Sequence, residues 1–405
     1  MATSTSKFSR VMLIISLLAL NIVEQSASAI SGAIPGMAAS FPNQSSVQIE
    51  LITTVVSVSV TIFVLVSGFV SRWIGQKQTA ILGLVIAAVS SVIPAMSNSF
   101  NVIMISRAIL GIGIGLANPL AISLIGEFFE GDTLATLMGW RSAVASIGVS
   151  AMTFFAGQLL QVNWHAAFWV YLLFVPTLIL FIIFVPTPEL DQKTVIDQDQ
   201  DSTAEASETS KVPENKHLGL IIALALLVLV YMGSAMISYI KMATMFVETG
   251  IGTPTQASSV ISVVGLAQLV GGALFGIAFK YLKQYILPIG VGLSGLMMVL
   301  MTFSSNILVI TIFGGLSGVF GGMAVPYIFT KVSMVSSTKS APLNNALILV
   351  GTNLGSFIAP MLASVLGATA LLSLRNAGWL IVALTVIIVI ALIVTQNRSK
   401  QQLAK

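Results

Sequence analysis

Long apolar runs alternate with short polar breaks along this chain. Twelve of the runs approach the roughly 20 residues that a helix needs to cross a bilayer. They fall at 11–35, 47–70, 78–97, 101–126, 133–158, 166–186, 218–240, 256–279, 285–304, 307–330, 341–369 and 376–396. Polar breaks divide runs that would otherwise merge: Ser97-Asn98-Ser99, Gln161-Val162-Asn163-Trp164 and Ser304-Ser305-Asn306. The first run is unusual. Asn21, Glu24, Gln25 and Ser28 recur at i, i+3, i+4 and i+7, one polar stripe on an apolar helix. Such a stripe faces protein or water rather than lipid.

Composition agrees with the pattern. Of 405 residues, 56% are hydrophobic and 8% charged, against about 25% charged in soluble domains. An all-α polytopic membrane protein is expected. The absence of cysteine excludes disulfides and thiolate metal sites, and His165 and His217 stand apart at segment ends as interfacial polar residues. No metal or cofactor is called for. Lys7 and Arg10, the apolar run and Ala27-Ser28-Ala29 resemble a signal peptide. That run is too long for one, and its removal would leave eleven helices.

Basic residues orient the spans. Lys7, Arg10, Arg72, Lys77, Lys193, Lys211, Lys216, Lys280, Lys283, Lys331, Lys339, Arg398, Lys400 and Lys405 gather on one side, while the other side holds Lys241 and Arg375. Both termini are expected to be cytoplasmic in a multi-pass plasma-membrane protein. The basic excess is thereby accounted for without a nucleic-acid partner. Residues 187–216, acidic and polar, read as a flexible cytoplasmic linker. It divides a six-helix bundle, 1–186, from a second one, 217–405.

The halves repeat. At an offset of 207, Gly111 meets Gly318, Gly115 meets Gly322, Pro119 meets Pro326 and Gly148 meets Gly355; at 208, Gly68 meets Gly276 and Arg72 meets Lys280. Duplicated halves of a membrane bundle mark a secondary transporter with its site between them, near the midplane. Two pseudo-symmetric bundles around a central cavity are expected.

These motifs resemble the major facilitator superfamily, over the whole chain. In its loop pattern G-x-x-x-D-[RK]-x-G-[RK]-[RK], Gly68, Gly75 and Lys77 match; Arg72 replaces the aspartate, Trp73 and Gln76 basic residues. Arg107, Gly111 and Gly113 meet the R-x-x-x-G-x-G of the fourth helix. Gly139, Gly148 and Gly157 half-meet the antiporter pattern of the fifth, with Met152-Thr153 in place of Gly-Pro and Ala156 in place of a glycine. The chain is most similar to the twelve-spanner drug:proton antiporters. The resemblance implies that Glu24 and Arg107 take part in proton and substrate handling and that the 2–3 loop belongs to a gate.

The residues themselves give a compatible picture. Glu24 lies about 16 Å below the outer end of its helix and Arg107 about 10 Å below the same side, at ~1.5 Å per residue. A shared aqueous cavity or a mutual ion pair offsets the roughly 2.5–3.5 kcal/mol that each charge costs at the bilayer centre; a static pair that only fixes packing is the plainer alternative. Asn21, Gln25, Asn118, Tyr231 and Asn353 complete the candidate binding set. Gly68, Arg72, Gly75, Lys77, Glu127 and Arg141 make the candidate inner gate. Lys241 and Glu248 flank the outer end of the seventh run and read as a solvated outer loop, with a second gate as the alternative. Gly111-Ile-Gly-Ile-Gly115 reads as close helix packing, because no strand precedes it and no acidic residue follows it as a dinucleotide loop requires.

Proton-coupled efflux of lipophilic or cationic small molecules is therefore expected, by alternating access, with protons and the bilayer as partners and a monomer sufficient. The alternative is a dedicated transporter of one solute such as a sugar, metabolite or lipid. No intramembrane catalytic motif or phosphate-binding loop suggests an enzyme or an ATP-driven pump.

Overall fold

The computed structural model describes residues 7–24, 26–187, 218–336 and 340–403, with the side chains at 7, 8, 24, 135, 341, 342 and 395–403 excluded. The expected linker therefore lies, beyond its first residue, outside the described residues. Among the described residues every regular element is helical. Span 1 is broken: helix Lys7–Glu24, a 3-10 turn Ser26–Ala33 and a short helix Ile34–Ser40, its two arms bent by 47°. Spans 2 to 5 are Ser46–Ile74, Gln76–Met96, Phe100–Phe128 and Gly131–Leu159. Span 6 joins a 3-10 segment, Ala166–Leu173, to helix Phe174–Phe184. Spans 7 to 12 are Leu218–Thr249, Pro254–Leu282, Ile286–Met301, Ile307–Val335, Ala341–Leu366 and Ala370–Leu403. Spans 8 and 9 form one apolar run, Pro254–Met301, divided by a 3-10 turn at Lys283–Tyr285. Lys283 there takes a positive φ of 48° and breaks the helix.

The ends follow from local chemistry. Ser45 and Thr253 close capping boxes with Gln48 and Gln256 at the starts of spans 2 and 8. Gly75, at φ 90°, ends span 2 and opens span 3, a conformation that suits glycine.

The contacts repeat between the halves. Span 2 packs on span 4 as span 8 does on span 10; 3 on 4 as 9 on 10; 1 on 5 as 7 on 11; and 1 on 6 as 7 on 12. The repeat extends to atoms. A Cβ built at Gly111 would stand 2.5 Å from the Val56 carbonyl oxygen, and one at Gly318 would stand 2.5 Å from that of Val264. Gly115 faces Val60 O as Gly322 faces Gln268 O, and Gly83 faces Gly113 O as Gly290 faces Phe320 O. Helices that touch backbone to backbone need small residues at these points. The halves meet along two seams, span 2 on span 11 and span 5 on span 8.

Candidate functional site

Inner and outer ends are named here by the basic-residue bias; the outer end is the one remote from the termini. The halves are joined on the outer side. Thr54 Oγ1 donates to Phe357 O at 3.4 Å, and Ser262 Oγ to Ser150 O at 2.7 Å. Gly32 and Gly157 sit so close to Ser258 that neither has room for a Cβ. By contrast Gly68, Gly139 and Gly276, toward the inner ends of spans 2, 5 and 8, have nothing within 4 Å of a built Cβ.

Two charged constellations lie under the outer side. The first surrounds Arg107, which is fully buried on span 4. Its Nε donates to Ile52 O at 3.0 Å, Nη1 to the Tyr171 hydroxyl at 2.9 Å and Nη2 to Ala27 O at 2.5 Å. Tyr171 in turn donates to Ser26 O at 3.0 Å. The reason lies in the break of span 1. Where Ser26-Ala-Ser-Ala leaves the α-helix, carbonyls lose their i+4 partners, and in a bilayer they must find others. A planar fork of donors that keeps its charge serves several acceptors at once. Arg107 thus ties spans 1, 2, 4 and 6 together.

The second is an ion pair whose carboxylate, Glu50, the sequence reading missed. Lys241 Nζ lies 2.6 Å from Glu50 Oε1. Glu50 is 2% exposed and Lys241 8%; the other Glu50 oxygen is buried with no hydrogen-bond partner. Glu50 is on span 2 of the first half and Lys241 on span 7 of the second. This corrects the expectation for Lys241: span 7 runs on to Thr249, so the residue is inside the helix bundle rather than in a solvated loop. Glu248 accepts from the Ala370 N–H at 2.8 Å and fixes the start of span 12. A signal was available, since Glu24 and Glu50 are the only carboxylates inside the expected spans.

The other candidates disperse. The Glu24 side chain and all of Gln25 lie outside the described residues. Asn21 is buried within the first bundle, where its amide nitrogen donates to Leu17 O and Leu18 O at 3.2 and 3.1 Å. Asn118 lines a narrow niche with Leu20, Val23, Ile114, Ala117 and Ala121. The buried Tyr231 hydroxyl is 3.3 Å from Ser294 Oγ, and Asn353 is half-buried on span 11. At the inner end, Gly68, Arg72 and Glu127 are exposed and Gly75 and Arg141 half-buried. Lys77 donates to Ile182 O at 3.3 Å and Gln76 accepts from Ser123 Oγ at 2.8 Å, so the 2–3 loop is anchored within its own half.

Over 135 residues, 33% of this chain and 24% of the relative, it is 27% identical to the multidrug transporter protein MdtP of Bacillus subtilis. Over 133 residues, 31% of this chain and 28% of the relative, it is 27% identical to the arabinose-proton symporter of the same organism. The matched stretches thus span about a quarter of these relatives. Among solved structures, a D-xylose-proton symporter superposes with a TM-score of 0.71 over 95% of this chain and 97% of that one, at 15% identity. The Major Facilitator Superfamily profile matches residues 16–247 and 223–405. The chain belongs to the Major Facilitator Superfamily.

Proposed function

We propose that the protein exports lipophilic or cationic small molecules in exchange for protons, as a monomer in the plasma membrane with both termini cytoplasmic. The observation that carries this reading is the apolar character of the second half, most of whose buried polar groups are bonded within the protein. Ser317 donates to Ser294 O, Ser262 to Ser150 O, and the Tyr231 hydroxyl is engaged with Ser294. Met232, Met236 and Met323 stand among the packed apolar side chains of spans 7 and 10. Selecting a sugar requires buried groups built to bond its hydroxyls; among the described residues of the second half Gln268, Asn345 and Asn353, with the Ser234 and Thr244 hydroxyls, are the few left for that. A flexible thioether surface suits varied amphipathic molecules instead. The resemblance to a multidrug transporter supports the reading, while the arabinose-proton symporter supports a second one, transport of a single polar solute. Nothing in either reading needs a catalytic centre.

The test uses inside-out vesicles with an imposed proton gradient. Accumulation of a fluorescent cationic dye, reversed when the gradient is collapsed, is the expected result. Gradient-driven movement of a sugar, with no dye accumulation, would replace this reading by the second.

A further inference from the structure

We propose that Glu50 is the carboxyl that binds the coupling proton, and that Lys241 is the counter-ion whose pairing with it latches the outer side shut. The inference rests on the reading of this chain as proton-coupled, but not on what it carries.

Four observations converge. The pair joins the two halves, so separating spans 2 and 7 at the outer side must break it. It lies on the sealed side of the molecule, with the Thr54–Phe357 and Ser262–Ser150 contacts. One carboxylate oxygen has a partner and the other, buried, has none, which leaves a lone pair free for a proton. Finally, Arg107 holds Ile52 O, two residues along span 2, so the turn that presents Glu50 is rigidly placed.

Among the described residues, the charged and titratable groups facing Glu50 are few. Span 7 contributes Lys241, Glu248 and the half-buried Tyr239. Span 4 contributes Arg107, whose guanidinium is bound to backbone carbonyls and to Tyr171 of span 6. Span 11, Ala341–Leu366, carries no ionisable residue, nor do Ser26–Ser40 of span 1; the one charge of span 3, Lys77, is at its inner end. Lys241 is therefore the group that decides the state of Glu50.

Coupling follows from charge balance. With the outer side closed, carboxylate and ammonium neutralise each other. Opening that side would leave a bare carboxylate unless an outer water supplies a proton to it. Neutral Glu50 can then return past Lys241, and the proton leaves to water on the inner side as the pair re-forms. One proton enters per cycle. An empty, deprotonated carrier remains latched, which prevents futile cycling. The sign is definite: the latch holds above the pKa of Glu50 and is lost as pH falls through it.

The chain has no cysteine, so Ser258→Cys, buried in the outer seam, reports opening through its reaction with an impermeant thiol reagent. In the otherwise native background, labelling should rise several-fold from alkaline to acidic pH, against the intrinsic trend of thiolate reactivity. With Glu50→Gln it should be fast at every pH. Reversing the pair, Glu50→Lys with Lys241→Glu, should restore slow labelling at alkaline pH, which separates loss of the latch from misfolding. Identical pH profiles with and without Glu50→Gln overturn the proposal, as does slow labelling of the single variant. The assay uses no substrate, so it stands even where the vesicle test fails to show dye export. Conversely, gradient-driven dye export undiminished by Glu50→Gln leaves export intact and overturns Glu50 as the proton site.

Discussion

Replacing Arg107 by lysine tests whether a forked donor is what holds the break of span 1. The guanidinium spends three separate nitrogens on Ile52 O, the Tyr171 hydroxyl and Ala27 O, at 3.0, 2.9 and 2.5 Å. An ammonium has its donors on a single atom and cannot span acceptors that belong to three different elements. Two of the three bonds should be lost. At about 1.5–3 kcal/mol for each hydrogen bond to a charged group, the cost is about 3–6 kcal/mol, a large share of the net stability of an ordinary protein. Tyr171→Phe removes one hydroxyl, which accepts from Arg107 and donates to Ser26 O, and should cost less. The assay is the thermal unfolding midpoint of the detergent-solubilised protein. It should fall in the order native, Tyr171→Phe, Arg107→Lys, and the double variant should lose less than the sum, because the residues share one network. An Arg107→Lys protein that unfolds with the native midpoint refutes the clamp.

Three further outcomes are expected. Gly113→Ala should lower the midpoint more than Gly290→Ala: the new Cβ would stand 2.5 Å from Gly83 O in the first case and 3.0 Å from Phe320 O in the second, and both obstacles are backbone. Asn21→Leu should raise the midpoint, because the buried Asn21 Oδ1 has no partner and an orphaned acceptor costs about 1–3 kcal/mol; a fall would show that the amide has a partner in the membrane. Asn98→Cys and Ser305→Cys, at the outer turns, should react with an impermeant reagent in intact cells, and silence of both would invert the orientation.

The fold was largely legible because its determinants are repetitive. Each span needs length and apolarity, both visible in one pass. Each helix crossing needs a small residue at a fixed offset, and Gly111 and Gly318 announced the crossings that the structure shows at Val56 and Val264. Boundaries moved where polar residues proved to be inside helices. Lys241 extends span 7, and Arg375 sits in span 12 with its guanidinium on Thr302 and over the Phe303 ring. A long basic side chain can turn its charge aside while its stem stays apolar, so charge alone is a poor end marker.

The site was less legible because it is where the repeat stops. At the offset of 207 that aligns the glycines, Arg107 corresponds to Gly314 and Tyr171 to Gly378; at 208, Glu50 corresponds to Ser258. The second half has no break in span 7 to match Ser26–Ala33 of span 1, hence no freed carbonyls, hence no need of the arginine. Symmetry dictates which helices touch, and the two charged constellations are built from residues that depart from it. Depth in the sequence misled for the same reason. Glu50 lies about 6 Å from the start of span 2 at ~1.5 Å per residue, shallow enough to pass for a solvated end. Its burial comes from span 7, 191 residues further along the chain at Lys241. A charge pair between halves is invisible to any reading of one helix at a time. Setting the in-span carboxylates of one half, Glu24 and Glu50, against the outer cations of the other, Lys241 and Arg375, narrows the choice to four pairs, of which the structure forms Glu50 with Lys241.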